Sequence, residues 1–460
     1  MDERVKKSLI EIVGEKNFND KLIDMVSYSY DASEYTHRPL CAVWVESTEQ
    51  VSEVLKLANR EKIPVVPRGG GTGLTGMSVP INGGIALDLN HMNKIVNISI
   101  EDRLAVVQAG VVYDDLARAL DPHGFFFPPD PASSQVCTLG GNVATNAGGV
   151  KGAKYGTTRD YVLGLLVVLP DGRIMKTGSQ CIKSVSGYDL TKLFVGSEGT
   201  LGVVTEITLK INPKTTASTT AMAAFDDLGD AGRAVSETMH SGVLPAVLEI
   251  LGREALMAIN RNTDLNLPEV DAMLLVETDG YTQEETDYQV RKVLEVFKRN
   301  NAREIKQAKT KKEAEGLWEA RKSAYAVLAR LNTHQVLEDV TVPMSRIAEA
   351  LIGIKKISEK FNIMIATYGH AGDGNLHPQF VYDGYDPDVV ERKKAAGAAL
   401  FKLAIDLGGT LTGEHGIGLQ KAAFMGLEHS EVAMDVMRGI KRLLDPNNIL
   451  NPGKMALDEG

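Results

Sequence analysis

Residues 67–80 read PRGGGTGLTGMSVP, and within them Gly71-Thr72-Gly73-Leu74-Thr75-Gly76 matches G-x-G-x-x-G letter for letter. The run Ile63-Pro64-Val65-Val66 just before it is a candidate strand. In a nicotinamide-type fold this pattern must run directly into a helix whose N-terminus faces a pyrophosphate. Here Pro80 and the pair Gly83-Gly84 follow at once. No helix of useful length can start there, so the nicotinamide reading fails on its context.

The loop can still hold an anion. Consecutive glycines let backbone N–H groups converge without side-chain obstruction, and Thr72 and Thr75 add hydroxyl donors. A tight surface turn needs fewer glycines than this. A second glycine-rich stretch, TLGGNVATNAGG, covers residues 138–149, and a third, GSEGTLG, covers 196–202. Three such stretches among strands imply a ligand larger than a single nucleotide.

The chain has 460 residues, which predicts two or three domains. An apolar fraction of 43% and a charged fraction of 24% are those of a globular protein. A net charge of −10 argues against a nucleic-acid partner. No run of about 18 apolar residues is present, so no membrane span is expected, and the charged N-terminus lacks the apolar core of a signal peptide. A cytoplasmic location is expected, or one peripheral to a membrane through an electron acceptor. Cys41, Cys137 and Cys181 are far apart. They predict no disulfide framework and no iron–sulfur cluster, and each reads as a small core residue.

Three regions are expected. Residues 1–213 alternate helices with short strands, among them GIALDL, RLAVVQAG and LGLLVVLPDGRI. An amphipathic helix over Glu49–Arg60 starts after Ser47-Thr48 as its cap. Residues 214–410 carry long helices over Ala231–His240, Gln283–Lys298 and Thr310–Leu331, with strands AMLLVETD and IMIATYG between them. That mixture predicts a second, α+β domain. Residues 411–460 turn glycine-rich again and are expected to close back on the first domain.

The chemistry is expected in the second half. In Tyr368-Gly369-His370-Ala371-Gly372-Asp373-Gly374-Asn375-Leu376-His377-Pro378, Asp-Gly is a hairpin signal. With Asp373-Gly374 as a two-residue turn, His370 and His377 face each other with Cβ atoms about 4.5–5.5 Å apart. Glu414-His415 sits in GGTLTGEHGIG. His370, His377 and Glu414 make a two-nitrogen, one-oxygen set suited to Zn²⁺, Fe²⁺ or Mn²⁺ with open positions. Trp318 and Arg321, three residues apart on a helix, share a face, and an arginine can grip a carboxylate through two parallel hydrogen bonds.

Together PRGGGTGLTG, FPPDPASS, TLGGNVATNAGG, KYGTTRDYVLGL, GYDLTKLFVGSEGTLGVVTEITLKI, YGHAGDGNLHP, GTLTGEHGIGLQK and DPNNILNPGKM span residues 67–455. The chain resembles the FAD-dependent 2-hydroxy acid dehydrogenases of the vanillyl-alcohol-oxidase/PCMH superfamily. These include D-lactate dehydrogenases, the glycolate oxidase flavin subunit and D-2-hydroxyglutarate dehydrogenase. The resemblance implies an α+β chain with a PCMH-type, two-subdomain FAD-binding domain and an α+β cap domain for substrate and metal. It implies that Pro67, Arg68, Gly69, Gly70, Gly71, Thr72, Gly73, Leu74 and Gly76 cradle the FAD pyrophosphate. Pro131, Ser133, Ser134, Gly140, Gly141, Asn142, Thr145, Asn146, Gly148, Gly149 and Gly156 would line the flavin. Val204 and Glu206 would lie near the adenine half, and Asn451 and Lys454 near the isoalloxazine. The 67–76 loop has no histidine, so the flavin is expected to be non-covalent. The family pattern makes His370, His377 and Glu414 metal ligands, His415 the base that takes the hydroxyl proton, Arg321 the carboxylate clamp and Asn375 a substrate contact. Lys421 reads as a surface lysine.

One departure bears on substrate. Hydroxyglutarate members carry a lysine just before the strand that here reads Val336-Leu337-Glu338-Asp339-Val340-Thr341-Val342-Pro343, which contains none. Its absence, and the two acids present, favour a small monocarboxylate, D-lactate to pyruvate, with glycolate or a hydroxyglutarate-type acid as alternatives. No cysteine cluster is present to carry electrons onward. The acceptor is expected to be external: an electron-transferring flavoprotein, an iron–sulfur partner subunit or a quinone. A non-redox FAD synthase of the same fold would lack the metal set.

Overall fold

The computed structural model describes residues 1–458, in two compact units. One comprises Met1–Gly148, Gly156–Lys214 and the chain from Glu414 onward; the other comprises Gly149–Tyr155 and Thr215–Gly413.

The first unit contains two sheets. One is four-stranded, in the order Phe18–Asn19, Cys41–Trp44, Ile85–Asp88, Val65–Arg68, and its last three strands are parallel. The helix Thr48–Glu61 bridges Cys41–Trp44 and Val65–Arg68. Ser47 caps it by accepting from Gln50 N at 3.3 Å, and Lys62 ends it in the left-handed region. Such a cap stabilises by about 1 kcal/mol. Its face of Val51, Val54, Leu55 and Ala58 is buried against Val43, Val65, Ile85 and Leu87. The second sheet is antiparallel, in the order Ile95–Ser99, Leu104–Gln108, Val203–Lys210, Val162–Val168, Ile174–Gly178. Its core joins Val107, Leu165 and Ile207 to Leu116, Leu139 and Val143 from the adjoining helices. The C-terminal run adds to the parallel sheet: Val65 N donates to Ile449 O at 2.7 Å and Asn451 N to Val65 O at 2.9 Å.

The second unit is built on one antiparallel sheet. Its path runs Glu304–Gln307, Ala217–Phe225, Ala272–Gly280, Val247–Gly252, Met364–His370, Asn375–Tyr382, His334–Leu337, and Val340–Thr341 also pairs with Asn375–Tyr382. Alternate residues point to opposite faces. Met222, Ala224, Leu275, Ala366 and Tyr368 pack with Ala255, Leu256 and Ile259 of the helix Arg253–Asn262. Leu317, Ala320 and Ala324 of the helix Lys311–Leu328 join the same cluster. On the other face Phe225 meets Phe297 of the helix Gln283–Arg299 edge to face. The segment Gly149–Tyr155 is tied into this unit through Asp279, which takes an ion pair from Lys154 and a 2.5 Å hydrogen bond from the Tyr155 hydroxyl.

Cys41 and Cys137 are buried, in agreement with the sequence reading. Cys181 is exposed, a correction to it.

Candidate functional site

In the first unit the sequence-marked loop leaves the C-terminal end of the parallel strand Val65–Arg68, where open α/β sheets place their ligands. No helix follows until Tyr113. Among the described residues, no backbone N–H from Gly69 to Gly76 donates a hydrogen bond within the chain. That row of donors suits a pyrophosphate. The glycines have distinct reasons. A Cβ on Gly69 would stand 2.2 Å from Thr138 Oγ1, and one on Gly70 would stand 2.2 Å from the Val136 carbonyl. Both exist so that the loop can lie on residues 136–138. A Cβ on Gly73 would meet Met77 at 3.4 Å and Asp31 at 3.7 Å, ordinary contact distances. Arg68 is drawn back over Gly71 and donates to the Tyr30 carbonyl at 2.8 Å.

The other marked residues of this unit divide between architecture and open groups. Pro131, Ser133 and Ser134 form a turn in which Ser134 N donates to Pro131 O and Cys137 N to Ser133 O. Thr138 caps the short helix Leu139–Thr145 through Gly141 N, and Gly140 lies against Ala109. Asn146, in the left-handed region at φ 55°, accepts from Thr157 Oγ1 and Arg159 N. Gly156 abuts Asp160. Val204 is packed in the core, and Glu206 is half-buried opposite Gln108. Two buried amides have an atom without a partner, Asn142 Nδ2 and Asn451 Oδ1. Orphaned buried polar atoms beside a row of open N–H groups fit a large polar cofactor such as FAD. A Cβ on Gly148 would meet the Glu414 carboxylate at 2.6 Å.

In the second unit the register lays a polar row across one sheet face. Thr220 is opposite Glu277, Glu249 is opposite His370, His370 is opposite Asn375, and His377 is opposite Tyr368. The hairpin register differs from the sequence expectation. The turn is Ala371–Gly374, not Asp373-Gly374 alone, so His370 and His377 are diagonal partners rather than direct ones. The turn widens because Gly372 N is drawn to Leu248 O at 3.0 Å and Gly374, at φ 84°, lies against the Val342 carbonyl. Both imidazoles still share a face, with ring centroids 4.9 Å apart and planes at 90°.

Glu249, which the sequence reading passed over, joins this row together. It is fully buried in the strand Val247–Gly252, the single acid in VLEILG. His370 Nδ1 lies 2.5 Å from Glu249 Oε1, and Arg321 Nε pairs with Glu249 Oε2. A carboxylate only accepts, so Nδ1 carries a proton, and in the neutral ring Nε2 keeps the lone pair. That is the arrangement found behind metal-ligating histidines. Burial pushes the Glu249 carboxyl up, but Arg321 and His370 outweigh it and hold the group below its ordinary value. Arg321 belongs to the buried stripe Leu317, Ala324 and Leu328 of its helix. Its guanidinium lies 4.9 Å from the Tyr368 ring centroid. Trp318, on the same helix, donates to Glu277 Oε2 at 3.1 Å. Asn375 is buried, and its Oδ1 has no partner. A lone acid in an otherwise apolar strand was the available signal for Glu249.

Asp339 accepts from Thr412 Oγ1 at 2.9 Å and Gly413 N at 2.7 Å, which fixes the chain one residue before Glu414. One further reading is corrected: Lys421 is completely buried, not a surface lysine.

These features agree with comparisons to known proteins. Residues 214–455 match the family model for FAD linked oxidases, C-terminal domain, and residues 39–178 match that for an FAD binding domain. The chain is 44% identical to glycolate oxidase subunit GlcD of Bacillus subtilis (strain 168), over 98% of this chain and 96% of that protein. It is 38% identical to D-lactate dehydrogenase of Anaerostipes hadrus, over 91% and 90%. Among solved structures, p-cresol methylhydroxylase superposes with a TM-score of 0.82 at 20% identity, covering 100% of this chain and 98% of that one. Alkyldihydroxyacetonephosphate synthase gives 0.75 at 19% identity, covering 98% and 85%. The chain belongs to the FAD-linked oxidases, and its fold is α+β with a PCMH-type FAD-binding region. It is an FAD-dependent oxidoreductase, and the family resemblance drawn from the sequence is borne out.

Proposed function

We propose that the chain dehydrogenates small D-2-hydroxy monocarboxylic acids, D-lactate to pyruvate foremost, using non-covalent FAD. A divalent ion (Zn²⁺, Fe²⁺ or Mn²⁺) would be held by His370, His377 and Glu414. The carrying observation is the Glu249 carboxylate set between Arg321 and His370. It holds His370 and Arg321 on one carboxylate, a pairing suited to a hydroxyl beside a carboxylate. The glycolate oxidase and D-lactate dehydrogenase names of the relatives support the same substrate class.

Bound FAD supplies the hydride acceptor, and the ion supplies acidity to the substrate hydroxyl. The chain's own residues do the rest. Arg321 keeps its terminal guanidinium nitrogens for the substrate carboxylate. Asn375, with its buried Oδ1 unpartnered, contacts the substrate and helps to orient it. His415 takes the hydroxyl proton as the α-hydrogen leaves with its electron pair, which yields the 2-oxo acid. An imidazole suits this transfer near neutral pH. Electrons then pass to an external partner: an electron-transferring flavoprotein, an iron–sulfur subunit or a quinone. The word subunit in the name of the Bacillus relative supports a protein partner. Glycolate is the second reading, favoured by that same relative. The absence of a lysine beside Val336–Val340 speaks against a dicarboxylate. No helix of the described residues is long and apolar enough to cross a membrane.

The test is anaerobic addition of D- and L-lactate, glycolate, D-2-hydroxybutyrate and D-2-hydroxyglutarate, with and without chelator. D-lactate is expected to bleach the flavin band near about 450 nm, a property of the cofactor itself. Chelation is expected to abolish the bleaching. If no small 2-hydroxy acid bleaches it, the reading is wrong. His415→Ala is expected to retain FAD and metal and to reduce about 10²–10⁴-fold more slowly; an unchanged rate removes His415 from the mechanism.

A further inference from the structure

Glu198 stands in the third glycine stretch at φ 53°, a left-handed conformation uncommon for a side chain of its size. It is buried, and each of its polar groups goes to a different segment of the first unit. Its N–H donates to Ala144 O at 2.8 Å, in the second glycine stretch. Its carbonyl accepts from Asn451 Nδ2 at 2.7 Å, and that amide also donates to Met77 O, next to the first loop. Its carboxylate takes two backbone donors, Ile417 N on Oε1 at 2.7 Å and Gly418 N on Oε2 at 2.9 Å. The next residue, Gly199, lies against Pro67, and a Cβ on Gly416 would stand 2.8 Å from Glu198 Oε1.

The bidentate grip begins two residues after His415. Thr75 holds the same turn from the first loop: its Oγ1 reaches the His415 carbonyl at 3.4 Å, and its carbonyl accepts from Leu419 N at 2.8 Å. A residue in a strained conformation that ties three other segments together is over-determined by its surroundings, and such strain persists where geometry must be held closely. We propose that Glu198 is a positioning residue, a carboxylate clamp that sets the His415 turn against the glycine loops. This rests on His415 acting as the base.

The test uses the FAD-loaded full chain on the alkaline side of neutrality. Glu198→Gln keeps the shape but offers one acceptor oxygen, and its amide N–H₂ opposes the second backbone donor. Expected are unchanged FAD content, a flavin-reduction rate about 10- to 100-fold lower, and half-saturation by D-lactate within about twofold. In a His415→Ala background the same change is expected to cost little more, because both act through one group. Amide hydrogen exchange at Ile417 and Gly418, measured without substrate, is expected to rise in Glu198→Gln while that of the Val162–Val168 strand stays put. Equal reduction rates with unchanged exchange would overturn the clamp. So would a loss of FAD or of fold, or a full additional penalty in the His415→Ala background. A wild type that no 2-hydroxy acid reduces counts against the function instead, and the exchange comparison still decides the clamp.

Discussion

Two buried glutamates, one in each unit, answer burial in opposite ways. Glu198 has neutral backbone N–H groups as its immediate partners. Burial dominates there and pushes its carboxyl up to about 7, against the pull of those two donors and of Lys454 and Lys421. Lys454, buried and donating to Val79 O at 2.9 Å, is itself pushed down by burial to about 8, with Glu198 opposing that shift. Glu249 is equally enclosed but has Arg321 and His370 in direct contact, and its carboxyl is held below the ordinary value. The identity of the nearest partner, and not the depth of burial, decides whether a buried acid stays charged. One glutamate is thus suited to hold backbone, the other to organise charge.

The strongest way to break this comparison is to neutralise both acids below neutral pH. Glu249→Gln leaves the Arg321 charge buried beside His370 without its partner. It is expected to cost about 3–5 kcal/mol in a denaturant melt and to weaken metal retention about 10- to 100-fold by metal analysis. Glu198→Gln replaces a group already inclined to be neutral and is expected to cost only about 1 kcal/mol, the worth of one hydrogen bond. Equal losses would mean that the two acids do not differ in charge.

A smaller effect is expected from Arg321→Lys. It keeps the positive charge near Glu249 but loses the planar fork. Losing a charge-assisted hydrogen bond of about 1.5–3 kcal/mol should raise D-lactate half-saturation roughly 10- to 100-fold. The stability cost should stay well below that of Glu249→Gln. Unchanged half-saturation in flavin-reduction titrations would free Arg321 from any role with substrate.

The smallest effect is a slope. Glu198 has a folded value near 7 against an ordinary 4.5. Its contribution to stability is therefore complete below about 4.5 and is lost as pH rises through about 7. Melting temperatures of the wild type, referred to Glu198→Gln, should fall across that window. A flat or rising difference would show that Glu198 is charged throughout and erase the contrast with Glu249.

Much of the architecture was legible in the sequence because it is local. Ser47 as a cap, the helix over Gln283–Arg299 and the lack of a helix after Gly76 follow from side-chain and backbone preferences within a few residues. The histidine pair was legible as a pair but not in its register, since the turn is shaped by Leu248 and Val342, far away in sequence. The hold of Asp339 on Gly413 was not legible. Its partners lie more than seventy residues on, as the pairing with Thr412 shows.

By itself the sequence showed that no helix can follow the first glycine loop and which histidines, acids and arginine are candidates for the chemistry; FAD came from the family resemblance of its long motifs. Residue type and short-range spacing suffice for the first two statements. Only the tertiary structure decided what the acids do: that Glu249 ties Arg321 to His370, that Glu198 grips the turn after His415, and that Lys421 is buried. A carboxylate's role depends on which donors reach within about 3 Å, and those donors come from strands and turns that sequence spacing does not bring together.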